Sequence, residues 1–239
     1  MTNYKLWMRR KEIKKKNELI VELYPAIVNE GTVSKRSPRR KPSSKKQKEK
    51  NAIRAEKNIK DLMAMNFKPG DLFITLTFAN PVDKATAKKA FQNFRKRVIY
   101  HAEKVCLGKF KYIAVLEEEP SGKYCVHLVV ERRFEKVVCE EWMSNGFFGT
   151  RKIYGNFKRL AQYFRKRMNP KEKICTSRNL LRPEVRVRNM TTKEILDYSA
   201  GCVPDVTAEY PICTSCFEFL GLNWLPHRVF RFCYNVRDT

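Results

Sequence analysis

The segment 112–131 brings together three residue types that can bind a metal. Two apolar, β-rich runs flank a Pro-Ser-Gly turn at 120–122, a pattern that predicts an antiparallel hairpin. Because side chains alternate along a strand, Cys125 and His127 share one face. If Glu117 on the preceding strand lies on the same face, the three side chains converge on one divalent ion. The alternative is a packed, hydrogen-bonded histidine without a metal.

A second reactive candidate is the tyrosine of an amphipathic helix predicted over 157–168. Tyr163 lies about 100° around the helix axis from Phe164, on the border of the apolar stripe. Arg159, Lys166 and Arg167 lie near it, so we expect Tyr163 to emerge from a positively charged surface. A tyrosine at the rim of a packed helix is the alternative.

The elements that must position these residues follow from periodicity. The order of the elements favours an α/β (α+β) fold in which helices cover one side of a mainly antiparallel central sheet. Arg95 and Lys96 should face outward from the second helix. The expected helices are 51–65, 84–105, 135–143, 157–168 and 192–199; the expected strands are 19–24, 71–79, the hairpin, 146–153 and 184–188.

The composition indicates a polyanionic partner. The 239 residues contain 50 Lys+Arg and 25 Asp+Glu, giving a net charge of +25. Such a field attracts nucleic acid more commonly than a membrane surface. With 43% hydrophobic and 12% aromatic residues, most of the chain should fold.

The sequence also bears on compartment and cysteine chemistry. No run of about 18 apolar residues is present, and the N-terminus lacks the apolar core of a secretion signal. We therefore expect a cytoplasmic protein without a membrane partner, whose eight cysteines are free thiols or ligands. Cys213 and Cys216 have zinc-ligand spacing, but a hydrophobic packing element with free thiols is the default.

Four motifs in order resemble the HUH endonucleases, and more narrowly the rolling-circle replication initiators of phages and plasmids. They are FITLTF at 73–78, YIAVLE at 112–117, VHL at 126–128 and YxxK at 163–166. The resemblance implies an HUH-endonuclease/RRM-like fold. It also implies a metal, Mn²⁺ or Mg²⁺, at Glu117, Cys125 and His127, with Tyr163 as nucleophile and Lys166 assisting it.

Proteins of this kind nick one strand of single-stranded origin DNA. The resemblance thus implies a 5′-phosphotyrosine link, a free 3′-OH that primes synthesis, and later rejoining of ends. Host helicase and polymerase are the implied partners, since no GxxxxGK[ST] phosphate loop occurs. Arg159, Arg167, Arg95, Lys96, Arg39, Arg40 and Lys41 are the candidate DNA contacts.

One departure from the family pattern concerns the metal. The family has His–apolar–His where this chain has Cys125-Val126-His127, and a thiolate suits Zn²⁺ better than Mg²⁺ or Mn²⁺. Cys125 could ligate with an altered metal preference, His127 and Glu117 could suffice with water, or catalysis could be impaired. The alternative functions are therefore a DNA-binding regulator of the same fold and an RNA-binding module.

Three domains are expected. Residues 1–50 form a basic, partly mobile arm, in which the run 34–50 lies along phosphates or serves only as a solubilising linker. Residues 51–200 form the HUH-type nuclease domain. Residues 201–239 form an aromatic- and cysteine-containing extension packed on it.

Overall fold

The structure, a computed structural model, describes residues 4–16, 18–29, 42–155, 157–167, 174–199 and 230–235. The chain forms two compact units. The central unit is residues 43–182, and the flanking unit combines residues 1–42 with 183–239. Arg39, Arg40, Lys41, Cys213 and Cys216 lie outside the described residues, as does most of the expected 201–239 extension.

The elements agree closely with the expected ones in the central unit. In chain order they are β1 (Tyr4–Lys14), β2 (Glu18–Asn29), α1 (Lys45–Asn66), β3 (Leu72–Phe78), α2 (Lys84–Lys104), β4 (Tyr112–Glu118), β5 (Tyr124–Val130), α3 (Glu135–Trp142), β6 (Gly146–Lys152), α4 (Lys158–Arg167), β7 (Cys175–Thr176), β8 (Glu184–Asn189), α5 (Thr192–Ser199) and β9 (Phe230–Asn235). None of the helices in the described ranges is long and apolar enough to cross a membrane.

The central unit is built on a five-stranded antiparallel sheet in the order β6-β3-β5-β4-β7. Helices cover both faces of this sheet, which corrects the expectation of a single covered side. On the α2 face, α2 and α3 pack over strand residues such as Ile74 and Leu128. On the α4 face, α1 and α4 pack over Ile113, Val115 and Val129. The inner strands carry apolar side chains on both faces, and burying both requires cover on both sides.

Two glycines adapt the backbone to this sheet. Gly122 in the β4–β5 turn has φ +77°, and its N–H donates to the Glu119 carbonyl at 2.8 Å. Gly146 opens β6 at φ +153°, where a Cβ would lie 2.2 Å from the Thr77 carbonyl oxygen. A larger residue at 146 would therefore force the edge strand away from β3.

The flanking unit contains a four-stranded sheet in the order β8-β1-β2-β9. Most of the expected basic arm is therefore folded: β1 pairs with β2 over its whole length, and α1 already begins at Lys45. The expected short strand at 19–24 is the middle of β2. Charged residues conceal the β1 pattern, and the Ser44 side chain, which accepts from the Gln47 N–H at 3.3 Å, starts α1 early.

Candidate metal and nucleophile site

Glu117, Cys125 and His127 converge on the α4 face of the sheet, as the strand parity predicts. In the β4–β5 pair, Glu117 lies opposite Cys125, and Val115 lies opposite His127. The three residues are only 5%, 2% and 4% exposed, and one ligand atom from each lies within 4.8 Å of the others. The cluster is therefore a preformed, dry set of one carboxylate, one thiol and one imidazole.

Hydrogen bonds fix the imidazole of His127. Its Nε2 lies 2.5 Å from Glu117 Oε2, and its Nδ1 lies 3.2 Å from Thr75 Oγ1. Because a carboxylate only accepts, the short contact assigns the ring proton to Nε2, and Nδ1 then accepts from the Thr75 hydroxyl. Phe73 stacks on the ring at a centroid distance of 5.6 Å and an angle of 12°. Thr75 and Phe73 thus hold the histidine from the neighbouring strand β3.

Burial controls the protonation of the cluster. It lowers the pKa of His127, against the opposing effect of Glu117, so the imidazole is neutral at pH 7. Burial, reinforced by the negative charges of Glu117 and Glu119, raises the pKa of the Cys125 thiol to about 12. The thiol is therefore protonated at neutral pH unless a cation replaces its proton.

The donor set fits a small divalent ion. Cys125 Sγ lies 3.5 Å from His127 Nε2 and 3.8 Å from Glu117 Oε2. Ligands at tetrahedral Zn²⁺ are separated by about 3.4 Å when the bonds are about 2.1 Å long, so both separations suit one ion. The histidine–carboxylate pair at 2.5 Å is closer than that and must open when a metal replaces the proton between them.

Tyr163 lies beside the same cluster. Its hydroxyl is 3.2 Å from His127 Nε2, and its ring meets Phe73 edge-on at 5.6 Å and 88°. The side chain is half-buried and turned toward the sheet. This corrects the expectation that Tyr163 points out of a basic surface, because α4 lies across the strands so that the border of its apolar stripe also meets them.

Two arginines place positive charge on this tyrosine. Burial raises the pKa of Tyr163, whereas Arg167 and Arg151 lower it. The Arg167 guanidinium lies 5.1 Å from the Tyr163 ring centroid and also pairs with Glu117 Oε1. Arg167 thus links the nucleophile candidate to the metal-ligand cluster.

The remaining cations divide between the two faces. Lys166 and Arg159 are exposed on α4. Arg95 and Lys96 belong to α2, which covers the opposite face of the sheet from Tyr163. Arg95 is also turned inward, with Nη1 donating to the Tyr112 hydroxyl at 2.5 Å. The expectation of one continuous DNA track through α2 and Tyr163 is therefore wrong, because the sheet separates them.

Sequence reasoning missed several participants, all on β3 and β6. Phe73 and Thr75 contact His127, and Arg151 acts on Tyr163. The alternation in the motif 73–78 places Phe73 and Thr75 on one face, which was the available signal. Arg151 had no comparable signal, since its position depends on β6 pairing with β3, where it lies opposite Phe73.

The fold and this site define a class: a mixed α/β protein with an antiparallel sheet, consistent with the HUH/RRM-like architecture. Residues 71–171 match the model of one family, Replication-associated protein ORF2, consistent with a rolling-circle replication initiator. The matched segment runs from β3 to α4 and contains every residue of the site. No curated protein and no solved structure gives a significant match to the chain. The family match supports a replication-associated protein and suggests DNA binding.

Proposed function

We propose that this protein nicks single-stranded origin DNA by attack of Tyr163 on a phosphodiester and later rejoins the ends. The observation that carries the proposal is the Tyr163 hydroxyl, 3.2 Å from His127 in a buried Glu/Cys/His cluster. The match of this segment to a replication-associated family supports DNA as the substrate. The net charge of +25 favours binding of a polyanion.

Glu117, Cys125 and His127 would hold a divalent ion in this reaction. Such an ion, when bound, withdraws charge from the phosphate oxygens and orients the phosphorus. The carboxylate and the imidazole suit Mn²⁺ or Mg²⁺, whereas a Cys125 thiolate would favour Zn²⁺. Thr75 and Phe73 keep the imidazole in its ligating orientation from the neighbouring strand.

Tyr163 supplies the nucleophile. Its phenolic oxygen forms a bond to phosphorus as the bond from phosphorus to the 3′ oxygen breaks. The phenolic proton passes to solvent, and the departing oxygen takes up a proton to become a free 3′-OH. The phosphotyrosine remains a diester, which preserves the energy needed for rejoining. A host polymerase would extend the 3′-OH, and a helicase would separate the strands.

Arg167 and Arg151 prepare the tyrosine for this attack. Burial raises the pKa of Tyr163, and an approaching phosphate would raise it further by its negative charge. The two guanidinium groups act in the opposite direction and can also bind phosphate oxygens. Arg167 would exchange its contact with Glu117 for one with the DNA when that carboxylate binds the metal.

The edge strand β6 offers a path for the single strand. Phe147, Gly149 and Arg151 alternate onto the α4 face, opposite Thr77, Thr75 and Phe73 respectively. Phe147 is 71% exposed, and a Cβ at Gly149 would meet nothing within 4 Å, so the surface between the aromatic ring and Arg151 is open. Four strand residues span about 13 Å, which is on the scale of two nucleotides. A base can therefore stack on Phe147 while a phosphate contacts Arg151.

Cys125 favours one alternative function, DNA binding without cleavage. Its thiol pKa of about 12 opposes metal binding, and Arg167 and His127 already occupy both oxygens of Glu117. A protein with this site unfilled would retain the fold and the positive surface and act as an origin-bound regulator.

The test is formation of a covalent adduct. Full-length protein is incubated with Mn²⁺, Mg²⁺ or Zn²⁺ and single-stranded oligonucleotides tiled across the DNA that encodes it, then resolved under denaturing conditions. The proposal expects an adduct that disappears in Tyr163→Phe and persists in Tyr154→Phe, because Tyr154 is 77% exposed and outside the site. DNA binding without an adduct under any of these conditions would favour the regulator.

A further inference from the structure

A cavity of about 820 Å³ lies on the α2 face of the central unit, away from Tyr163. The second half of α2 forms one wall, the segment leading into β4 forms the floor, and residues 176–179 form the opposite wall. Its size is within the range of small-molecule sites, which is about 300–1,000 Å³. Nothing in the proposed nicking reaction uses it.

Arg95 is the unusual member of the lining. Its guanidinium contacts only neutral groups: the Tyr112 hydroxyl at 2.5 Å, Cys175 Sγ at 3.5 Å, and the faces of Phe91 and Tyr112. Its Nε is buried and donates no hydrogen bond, and no carboxylate of the described residues pairs with it. A partly buried cation without a counter-charge is costly, so an anion in the cavity would complete its surroundings.

Asn179 provides an unused acceptor in the same cavity. Its amide nitrogen donates to the Phe110 carbonyl at 3.3 Å, which fixes the orientation of the group. Its Oδ1 is therefore the buried atom that lacks a hydrogen-bond partner among the described residues. A ligand N–H would satisfy it. The cavity thus presents both an unused donor for an anion and an unused acceptor for an N–H group.

The rim adds positive charge. Lys109 and Arg178 line the cavity, are exposed, and pair with no carboxylate among the described residues, whereas Glu103 is the one acid of the lining. The cavity therefore has three cations against one anion. Phe110 and Tyr112 supply an aromatic base to it. Anion, N–H donor and flat apolar surface are together the features of a nucleotide.

We propose that this cavity binds one nucleotide, with its phosphate at Arg95 and Arg178 and a base N–H at Asn179. The nucleotide is either free or part of a single strand. The proposal does not rest on nicking, because neither the cavity nor its residues belong to the Tyr163 site. It requires only the charges and unused hydrogen-bonding groups of the α2 face.

The experiment titrates the full-length protein with the four deoxynucleoside 5′-monophosphates, with deoxyribose 5-phosphate and with inorganic phosphate, by calorimetry. At least one monophosphate should bind more tightly than inorganic phosphate. Arg178→Ala, an exposed change that leaves the fold intact, should weaken it about threefold to tenfold, and Arg95→Gln about tenfold or more. Lys89→Ala, an exposed cation on α2 outside the cavity, should leave it unchanged.

A second measurement separates the two sources of the nucleotide. Cys106 is exposed and lines the cavity, so an occupant should slow its alkylation, read by peptide mass spectrometry with half-buried Cys139 as the internal control. Protection by a free monophosphate supports a free ligand, and protection by a short oligonucleotide alone supports a nucleotide within a strand; both must be lost in Arg178→Ala. No protection and no binding, or equal binding of inorganic phosphate, would overturn the proposal.

Discussion

Replacing Cys125 by histidine should strengthen Mn²⁺ binding and remove its pH dependence. In the wild-type site the thiol must lose its proton before it can ligate, and its pKa is about 12. At pH 7 only about one thiol in 10⁵ is ionised, which corresponds to a cost of about 7 kcal/mol. A hard ion such as Mn²⁺ recovers little of this cost from sulfur.

A histidine at position 125 avoids that cost. The pKa of the neighbouring His127 is lowered by burial, and an imidazole in the same dry cluster is neutral at pH 7 and ready to ligate. We expect Cys125→His to bind Mn²⁺ at least tenfold more tightly than the wild type and to form more adduct. The gain stays below the full 7 kcal/mol because the larger ring must be accommodated at a buried position.

The sign of the pH dependence follows from proton release. If Cys125 ligates, each ion bound displaces one proton between pH 7.0 and 8.5, far below the thiol pKa of about 12. The dissociation constant for Zn²⁺ should then fall tenfold per pH unit in the wild type. It should be nearly constant in Cys125→Ser and Cys125→His, because the lowered pKa of His127 leaves it neutral throughout this range.

Competition with a chromophoric metal indicator in non-coordinating buffers measures these constants, and thermal unfolding verifies that each variant is folded. A wild-type constant that does not change with pH would refute the reasoning, since it would mean that Cys125 keeps its proton and is not a ligand. A pH slope that persists in Cys125→Ser would assign the released proton to another group.

Three further predictions concern the surroundings of this cluster. Arg167→Gln removes a charge that lowers the pKa of Tyr163, so the pH profile of adduct formation should move to higher pH, with about tenfold less phenolate at a given pH for each pH unit that the profile moves; exposed Lys166→Gln should have the smaller effect, and equal effects would contradict the geometry. Phe147→Ala should weaken binding of single-stranded DNA by about 1–3 kcal/mol in fluorescence anisotropy, whereas Phe148→Ala, on the opposite face of β6, should not. Phe94→Ala should lower the free energy of unfolding by about 3–5 kcal/mol in denaturant titration, because this fully buried ring packs on Trp142 and Phe91, while Tyr100→Ala, 70% exposed, should change it little.

The sequence was sufficient to predict the metal-ligand cluster. Strand alternation and a short turn fix the register of a hairpin, so the parity of Glu117, Cys125 and His127 determines that they meet. The same local rules predicted α2 and α4 within a few residues. These features depend on contacts between residues close together in the chain.

The errors concern arrangement in space. Periodicity gave the buried stripe of α2, but it does not say which face of the sheet a helix covers, so Arg95 was assigned to the wrong side. Likewise, the angular position of Tyr163 on α4 does not give the direction in which the helix crosses the strands. The β1 strand was missed because basic residues interrupt its apolar positions, and its pairing with β2 outweighs that pattern.

The central claim is that Tyr163 becomes covalently joined to the 5′ end of a nicked strand. The most direct measurement uses an oligonucleotide that carries different dyes at its two ends, followed by protease digestion and mass spectrometry of the adduct. We predict that the 3′ dye stays with the protein on the peptide containing Tyr163, and that the released 5′ fragment can be extended by a polymerase. A 5′ dye retained on the protein, or an adduct on another residue, would contradict the proposed mechanism.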